Sequence, residues 1–237
     1  MAATAVKLAS SEDLKRWEGL SGLHLIAAAY DCYGERFAIV SSFGTESAVL
    51  LHLAAQVDPN IPVLFLNTGK LFGETLRYKR DLVDRLGLGR VLTIEPDEAE
   101  VSAADPKGAL WLHNSNACCA LRKVRPLARA IEPFAAWATG RKSYQSATRS
   151  GLGAIEADGP RLKFNPLATW TRSDIQYYFE RYDLPDHPLE SDGYASVGCM
   201  PCTTPVVTGE DPRAGRWRNQ DKTECGIHAP HQPQAAS

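Results

Sequence analysis

Hydrophobic and polar positions change period repeatedly along the first two thirds of the chain. Phe37–Ser41 and Val63–Asn67 are short, nearly continuous apolar runs, the pattern of parallel strands covered on both faces. About Thr45 to Val57 and about Glu74 to Leu86 instead place apolar residues three and four apart, which predicts helices. Ser11-Glu-Asp-Leu predicts the start of an amphipathic helix running to about Tyr30, and Thr171 an N-cap for a helix through Tyr182. Arg90–Glu95, Ala135–Thr139 and Leu162–Leu167 complete the expected strands, the last as an edge, and Ala117 to about Ile131 adds a helix. This alternation predicts an α/β fold around a parallel sheet. After Cys202 the periodicity stops. Residues 203–237 are rich in Pro, Gly, Gln and charge, with Trp217 the main anchor. The expected organisation is one α/β domain over 1–202 and a flexible C-terminal tail over 203–237.

Composition narrows the function classes. The 237 residues carry 26 Lys and Arg against 28 Asp and Glu, a net charge of −2. A polyanion therefore meets no global attractive field, and nucleic acid is not the expected partner. No apolar run approaches the roughly 18 residues of a membrane helix, and the first residues lack a signal-peptide core. The expectation is a cytoplasmic protein without membrane attachment. In that compartment the six cysteines, at 32, 118, 119, 199, 202 and 225, suit metal binding or redox chemistry better than a disulfide framework.

Four groups of residues could carry chemistry. Ser41-Ser-Phe-Gly-Thr-Glu-Ser47 joins the first strand to the next helix, where small residues and free amides suit an anion; it reads equally as an ordinary βα turn. It matches neither the dinucleotide fingerprint nor the Walker loop. Cys118-Cys119 and Cys199-Met-Pro-Cys202 could converge on a tetrahedral zinc or an iron–sulfur cluster, and spacing leaves both open. Cys225, in a hydrophilic stretch, has the setting of a nucleophile that must visit two partners, or of an incidental surface thiol. Cations recur at Arg122, Lys123 and Arg125, at Arg141, Lys142 and Arg149, and at Arg213, Arg216 and Arg218. Each group alone reads as solvated surface; together they could surround a sulfate or phosphate.

Taken together, these residues resemble the assimilatory sulfonucleotide reductases, most of all the iron–sulfur-containing adenylyl-sulfate (APS) reductases. The resemblance rests on S-F-G-T-E-S at 42–47, N-T-G-K-L-F-G-E-T at 67–75, C-C-A-L-R-K-V-R-P-L at 118–127, Q-S-A-T-R at 145–149, G-C-M-P-C-T at 198–203, G-R-W at 215–217 and E-C-G-I-H at 224–228. It implies an adenine-nucleotide α-hydrolase-like, Rossmann-like fold with a phosphate loop at Ser42, Phe43, Gly44, Thr45, Glu46 and Ser47. Thr68, Gly69, Arg141, Lys142, Arg213 and Arg216 are implied to bind substrate, and Cys118, Cys119, Cys199 and Cys202 to hold a 4Fe-4S cluster. Cys225 is implied as the nucleophile, with Lys123 and His228 beside the reacting sulfate. The implied activity is reduction of adenylyl sulfate to sulfite and AMP, with thioredoxin or a glutaredoxin-like dithiol protein as a separate donor; self-association is left open. The alternatives are the same chemistry on the 3′-phosphorylated nucleotide (PAPS), a zinc-containing nucleotide α-hydrolase relative, and a non-enzymatic redox sensor. Two positions depart from the family pattern. Asn67 stands where Asp is usual, and the basic loop Thr139-Gly-Arg-Lys-Ser-Tyr-Gln-Ser146 has its cations one place early.

Overall fold

The structure is a computed structural model and describes residues 9–146 and 149–228. Ala147 and Thr148 of the 145–149 motif, and residues 229–237 with His231, lie outside the described residues. The elements in chain order are α1 (Ser11–Trp17), α2 (Gly22–Tyr33), β1 (Phe37–Ser41), α3 (Ser47–Val57), β2 (Val63–Leu66), α4 (Gly73–Leu86), β3 (Val91–Ile94), α5 (Glu98–Ala104), α6 (Leu110–His113), α7 (Ser115–Cys119), α8 (Arg125–Ala130), β4 (Ala136–Thr139), β5 (Ile155–Asp158), β6 (Arg161–Phe164) and α9 (Arg172–Arg181).

Among the described residues six strands form one sheet in the order β3-β2-β1-β4-β6-β5. All neighbours are parallel except β5 and β6, which pair antiparallel. The expected α/β fold is therefore present. Every residue of β1, β2 and β4 is buried, as continuous apolar runs in a covered parallel sheet must be. One face packs against α2, α3, α4 and α9 through residues such as Leu25, Leu51, Leu82 and Ile175. The opposite face, with Val40, Leu66 and Trp137, is covered by Leu127 and Ile131 and by Ile227 from near the C-terminus. Thr171 caps α9 as expected, in a reciprocal box with Asp174.

Three local expectations are corrected. The helix expected from Ser11 to Tyr30 breaks after Trp17, because the chain turns so that the Gly22 amide donates to the Pro166 carbonyl at 2.8 Å. The last strand is not the edge: β6 lies between β4 and β5, and the hairpin partner Ile155–Asp158 forms the border. The helix around the cysteine pair is one rod in three parts, with π geometry over Ala120–Val124 between α7 and α8. Such bulges displace side chains from regular helical spacing and recur at functional sites.

Candidate active site

A cavity of about 170 Å³ opens at the carboxyl ends of β1 and β4. The chain reverses its order across the sheet there, β1 having β2 on one side and β4 on the other, and open α/β sheets hold ligands at such a switch point. Ser42, Gly44, Thr45, Glu46 and Ser47 line the cavity. Phe43 does not: its backbone is left-handed (φ 49°) and its fully buried ring meets Phe65 edge-on at 5.3 Å. The loop is thus anchored by one aromatic turned into the core. Ser47 Oγ donates to the Gly44 carbonyl at 2.6 Å. No side chain caps the first turn of α3, so amides there remain available to a ligand.

Glu46 organises the wall beside this loop. Its carboxylate accepts from the Tyr144 hydroxyl at 2.6 Å, from Gln145 Nε2 at 2.7 Å and from Lys142 Nζ at 2.8 Å. Burial alone would raise its pKa; the Lys142 charge and these donors outweigh burial and hold it below the usual range. Arg141 is likewise bonded to Glu156, and to Asn165 Oδ1 at 3.1 Å. Both expected phosphate-facing cations line the cavity, and each already has a carboxylate partner.

The segment after Cys202 runs as a strap that contributes Arg213, Arg216, Ile227 and His228 to the cavity wall. Thr203 bridges to Arg216, and the Trp217 amide donates to the Cys202 carbonyl at 3.0 Å. Trp217 is buried beneath the Arg216 guanidinium, 4.6 Å from its ring. Gly198 leaves room for that guanidinium, which any Cβ there would strike. Arg216 Nη1 donates to the Val197 carbonyl at 3.3 Å, and its buried Nε has no partner. Further along, Ile227 and His228 line the cavity. His228 stacks on Trp137, 6.2 Å between centroids and 9° between planes, with its Nδ1 buried and unpartnered. Burial, and then Arg141, Arg149, Lys163 and Arg213, hold its pKa well below 6.5. His228 is a neutral imidazole near neutral pH, available for hydrogen bonding rather than as a cation.

Cys225 is partly buried and is not among the lining residues, although Ile227 and His228 are. Burial pushes Arg213 down to about 10. Burial, and Arg216, would lower the pKa of Lys123 in the π segment, but Cys199, Cys225 and Cys119 outweigh them and raise it. Thr68 and Gly69 stay outside the cavity. Thr68 is fully buried with its Oγ1 3.3 Å from Cys199 Sγ, and Met200 N donates to the Lys70 carbonyl at 2.8 Å. The 68–71 loop and the 198–202 loop are stitched together.

Cys118, Cys119, Cys199 and Cys202 do lie around one small void, with Lys123, Arg216 and Trp217. The expected 4Fe-4S cluster on these four residues is nevertheless corrected. Among the described residues no group of three or more His, Cys, Asp or Glu is arranged to hold a metal ion. The physical reason is room: the void measures about 10 Å³, about one water-sized sphere, and all four cysteines are free thiols around it. The residues as placed do not fit a metal centre, and neither iron–sulfur nor other metal binding is carried forward.

Two supports were not visible in the sequence. Arg122 forms a buried ion pair with Asp105 at 2.8 Å, while its Nη1 donates to the Thr68 carbonyl at 2.9 Å. Asp105 had no signal beyond an Asp in a loop. Asn67 Nδ2 donates to Glu95 Oε1 at 2.8 Å, and its Oδ1 accepts from the Gly69 amide at 3.2 Å. An Asp at 67 would set two carboxylates against each other, which accounts for the amide here.

Residues 36–205 match the family model of the phosphoadenosine phosphosulfate reductase domain. An adenosine 5'-phosphosulfate reductase of Mesorhizobium japonicum is 51% identical over 201 residues, 85% of this chain and 79% of that protein. A phosphoadenosine 5'-phosphosulfate reductase of Gloeobacter violaceus is 41% identical, covering 91% of each. In structure, a phosphoadenylyl-sulfate reductase of Candida auris superposes with TM-score 0.69 at 23% identity, over 83% of this chain and 98% of that one. A Candida glabrata FMN adenylyltransferase shares the fold at TM-score 0.56 and 13% identity, over 93% and 78%. On the family model and these relatives, the chain belongs to the phosphoadenosine phosphosulfate reductase domain family, and is an oxidoreductase of the sulfonucleotide reductases.

Proposed function

We propose that the chain reduces adenylyl sulfate to sulfite and AMP, with Cys225 as the nucleophile. The observation that carries this reading is the placement of Cys225 between Glu224, which is paired with the cavity-lining Arg149 and Arg213, and Ile227 in the cavity wall. The Cys225 thiolate attacks the sulfonyl sulfur, the S–O bond to the nucleotide phosphate breaks, and AMP leaves with that electron pair. Cys225 then carries an S-sulfo group. A thiolate of a dithiol protein attacks the Cys225 sulfur, sulfite departs, and the second thiol of that donor closes its disulfide and returns Cys225 as a thiolate. The donor supplies both electrons.

An anionic sulfonyl group repels a thiolate, so the cations at the strap must neutralise it. Arg216 brings a buried Nε without a partner, and Lys123 lies with it beside Cys199. His228 offers a neutral imidazole to the same end of the cavity. The loop Ser42–Ser47 and the first turn of α3 receive the nucleotide phosphate. Relatives at 51% identity named as adenosine 5'-phosphosulfate reductases support the substrate. The second reading, the 3′-phosphorylated nucleotide, is supported by the family model and the Gloeobacter relative. A reducing, cytoplasmic setting suits the free thiols and the dithiol donor.

The test is sulfite release from each nucleotide with a reduced dithiol protein present. Adenylyl sulfate is expected to be the faster substrate by at least about tenfold, or 1.4 kcal/mol. Faster turnover of the 3′-phosphorylated nucleotide replaces the first reading with the second, and no sulfite from either refutes both.

A further inference from the structure

The two borders of the sheet differ in chemistry. β5 carries Glu156 and Asp158, and both carboxylates are engaged inward: Trp137 Nε1 donates to Asp158 at 2.8 Å, and Asn165 Nδ2 donates to Glu156 at 2.9 Å. Charges aimed inward from an edge strand discourage a further strand from pairing with it. β3, at the opposite border, reads Val91-Leu92-Thr93-Ile94 and holds no charge, proline or glycine. Leu92 is 38% exposed, and Thr93 is exposed beside it. The Val63 amide donates to the Arg90 carbonyl at 2.9 Å and the Asn67 amide to the Ile94 carbonyl at 2.8 Å. Peptide groups alternate in direction along a strand, so those of Val91 and Thr93 face away from β2. Among the described residues no strand lies beyond them. Arg90 stands just before this strand and Glu95 just after it.

We propose that β3 is a self-association edge, where a second copy of this chain lays its own β3 antiparallel across a two-fold axis and joins the two sheets into one. The strand itself selects that occupant. A two-fold axis perpendicular to the sheet pairs the strand with its own reverse, so the outward groups of Val91 in each copy meet those of Thr93 in the other. Leu92 then meets its counterpart at the axis, in the closer spacing of a pair without mutual hydrogen bonds, and its exposed side chain is covered. Reversal also brings the Arg90 end of each strand to the Glu95 end of the other, so opposite charges meet at both ends; a parallel pairing would set like charges side by side. An unrelated extended peptide would use the same backbone groups, and the matched ends and the exposed leucine favour the second copy. No residue of β3 lines the cavity, so the pairing is independent of the substrate.

Sedimentation equilibrium of the full chain over about 1–100 μM reports its mass in solution. A dimer is expected, alone or as the unit of a larger assembly. Leu92→Lys sets two cations against each other at the axis, and Thr93→Pro removes an outward amide while keeping the bonds to β2. Each should raise the dissociation constant at least about tenfold. Leu92→Cys reads the register: mild oxidation should link two copies through that position, whose Cα separation across the axis a disulfide spans, and peptide mass locates the link. Circular dichroism and the melting temperature show whether each variant is folded; if Leu92→Lys or Thr93→Pro is not, the linkage through Leu92→Cys decides. A single-chain mass throughout the range overturns the proposal. So does an assembly that folded Leu92→Lys and Thr93→Pro leave intact, or an oxidised Leu92→Cys without the link. No nucleotide is present, so the result stands apart from the outcome of the sulfite assay.

Discussion

The two walls of the cavity are built in opposite ways. On the sheet side, Glu46 takes three donors, Arg141 and Lys142 have carboxylate partners although Arg141 Nε is buried and open, and Phe43 locks the loop into the core. On the strap side, Arg216 Nε and His228 Nδ1 are buried without partners, and the segment bearing Cys225 is pinned by Glu224 and Lys222. Polar groups that are fully paired fix a shape, whereas buried donors left open strengthen interaction with whatever anion arrives. Most of the sheet side's named polar groups are paired, and in the proposed function the strap side is where bonds are made.

Removing the proposed nucleophile sets the widest separation between the walls. Cys225→Ser should abolish sulfite release, a loss of at least about 10³-fold, while the melting temperature and AMP binding stay near those of the parent. Next is the ion pair that ties the π segment to the 68–71 loop. Arg122→Ala leaves Asp105 buried without its partner and should cost about 3–5 kcal/mol in denaturant unfolding. Asp105 is held below the usual carboxylate range although burial, the largest influence, opposes it.

Acid should loosen the buried framework in a defined window. His187 Nδ1 accepts from the Leu189 amide at 3.2 Å, so Nε2 carries the proton toward Thr75 Oγ1 at 3.1 Å. Burial pushes its pKa down to about 4 from 6.5. Below pH 6.5 the unfolded chain takes up a proton that the folded chain refuses. This stability is therefore complete above 6.5 and lost as pH falls toward 4, by on the order of 3 kcal/mol. His228, lowered for the same first reason, adds to the slope. Urea midpoints between about pH 7 and 4.5 check this, and His187→Asn should flatten the His187 share.

Lys123→Ala should lower kcat by about 10²-fold, near 2.7 kcal/mol, with little change in KM, because it sits with Cys199 and Arg216 and not among the residues lining the nucleotide-loop cavity. Equal losses of kcat and folded protein would make it a packing residue instead. The smallest effect belongs to neither wall: Arg129→Ala breaks an exposed pair with Glu100 and should change stability by less than about 1 kcal/mol.

The buried parallel strands were legible because both faces of β1, β2 and β4 are covered and their sequences are apolar throughout. Thr171 with Asp174 announced α9 through local chemistry alone. The hairpin β5–β6 was half legible: Ile155-Glu-Ala-Asp158 mixes polar and apolar residues, as an edge strand can. In the site, the residue types of the phosphate loop and of the strap marked an anion pocket, but their pairing did not show. That Arg149 meets Glu224 across 75 positions, or that Arg122 reaches Asp105, depends on how the sheet ends and strap are brought together. Cysteine spacing suggested a metal centre for the same reason in reverse: it reports which sulfurs approach one another and says nothing of the room between them.

The most direct measurement mixes the protein, stripped of reductant, with adenylyl sulfate and maps the product by intact and peptide mass. The expected result is one added sulfo group per chain, on the peptide containing Cys225, with stoichiometric AMP, and its loss as sulfite when a reduced dithiol protein is added. AMP released in full while the Cys225 peptide stays unmodified would contradict it.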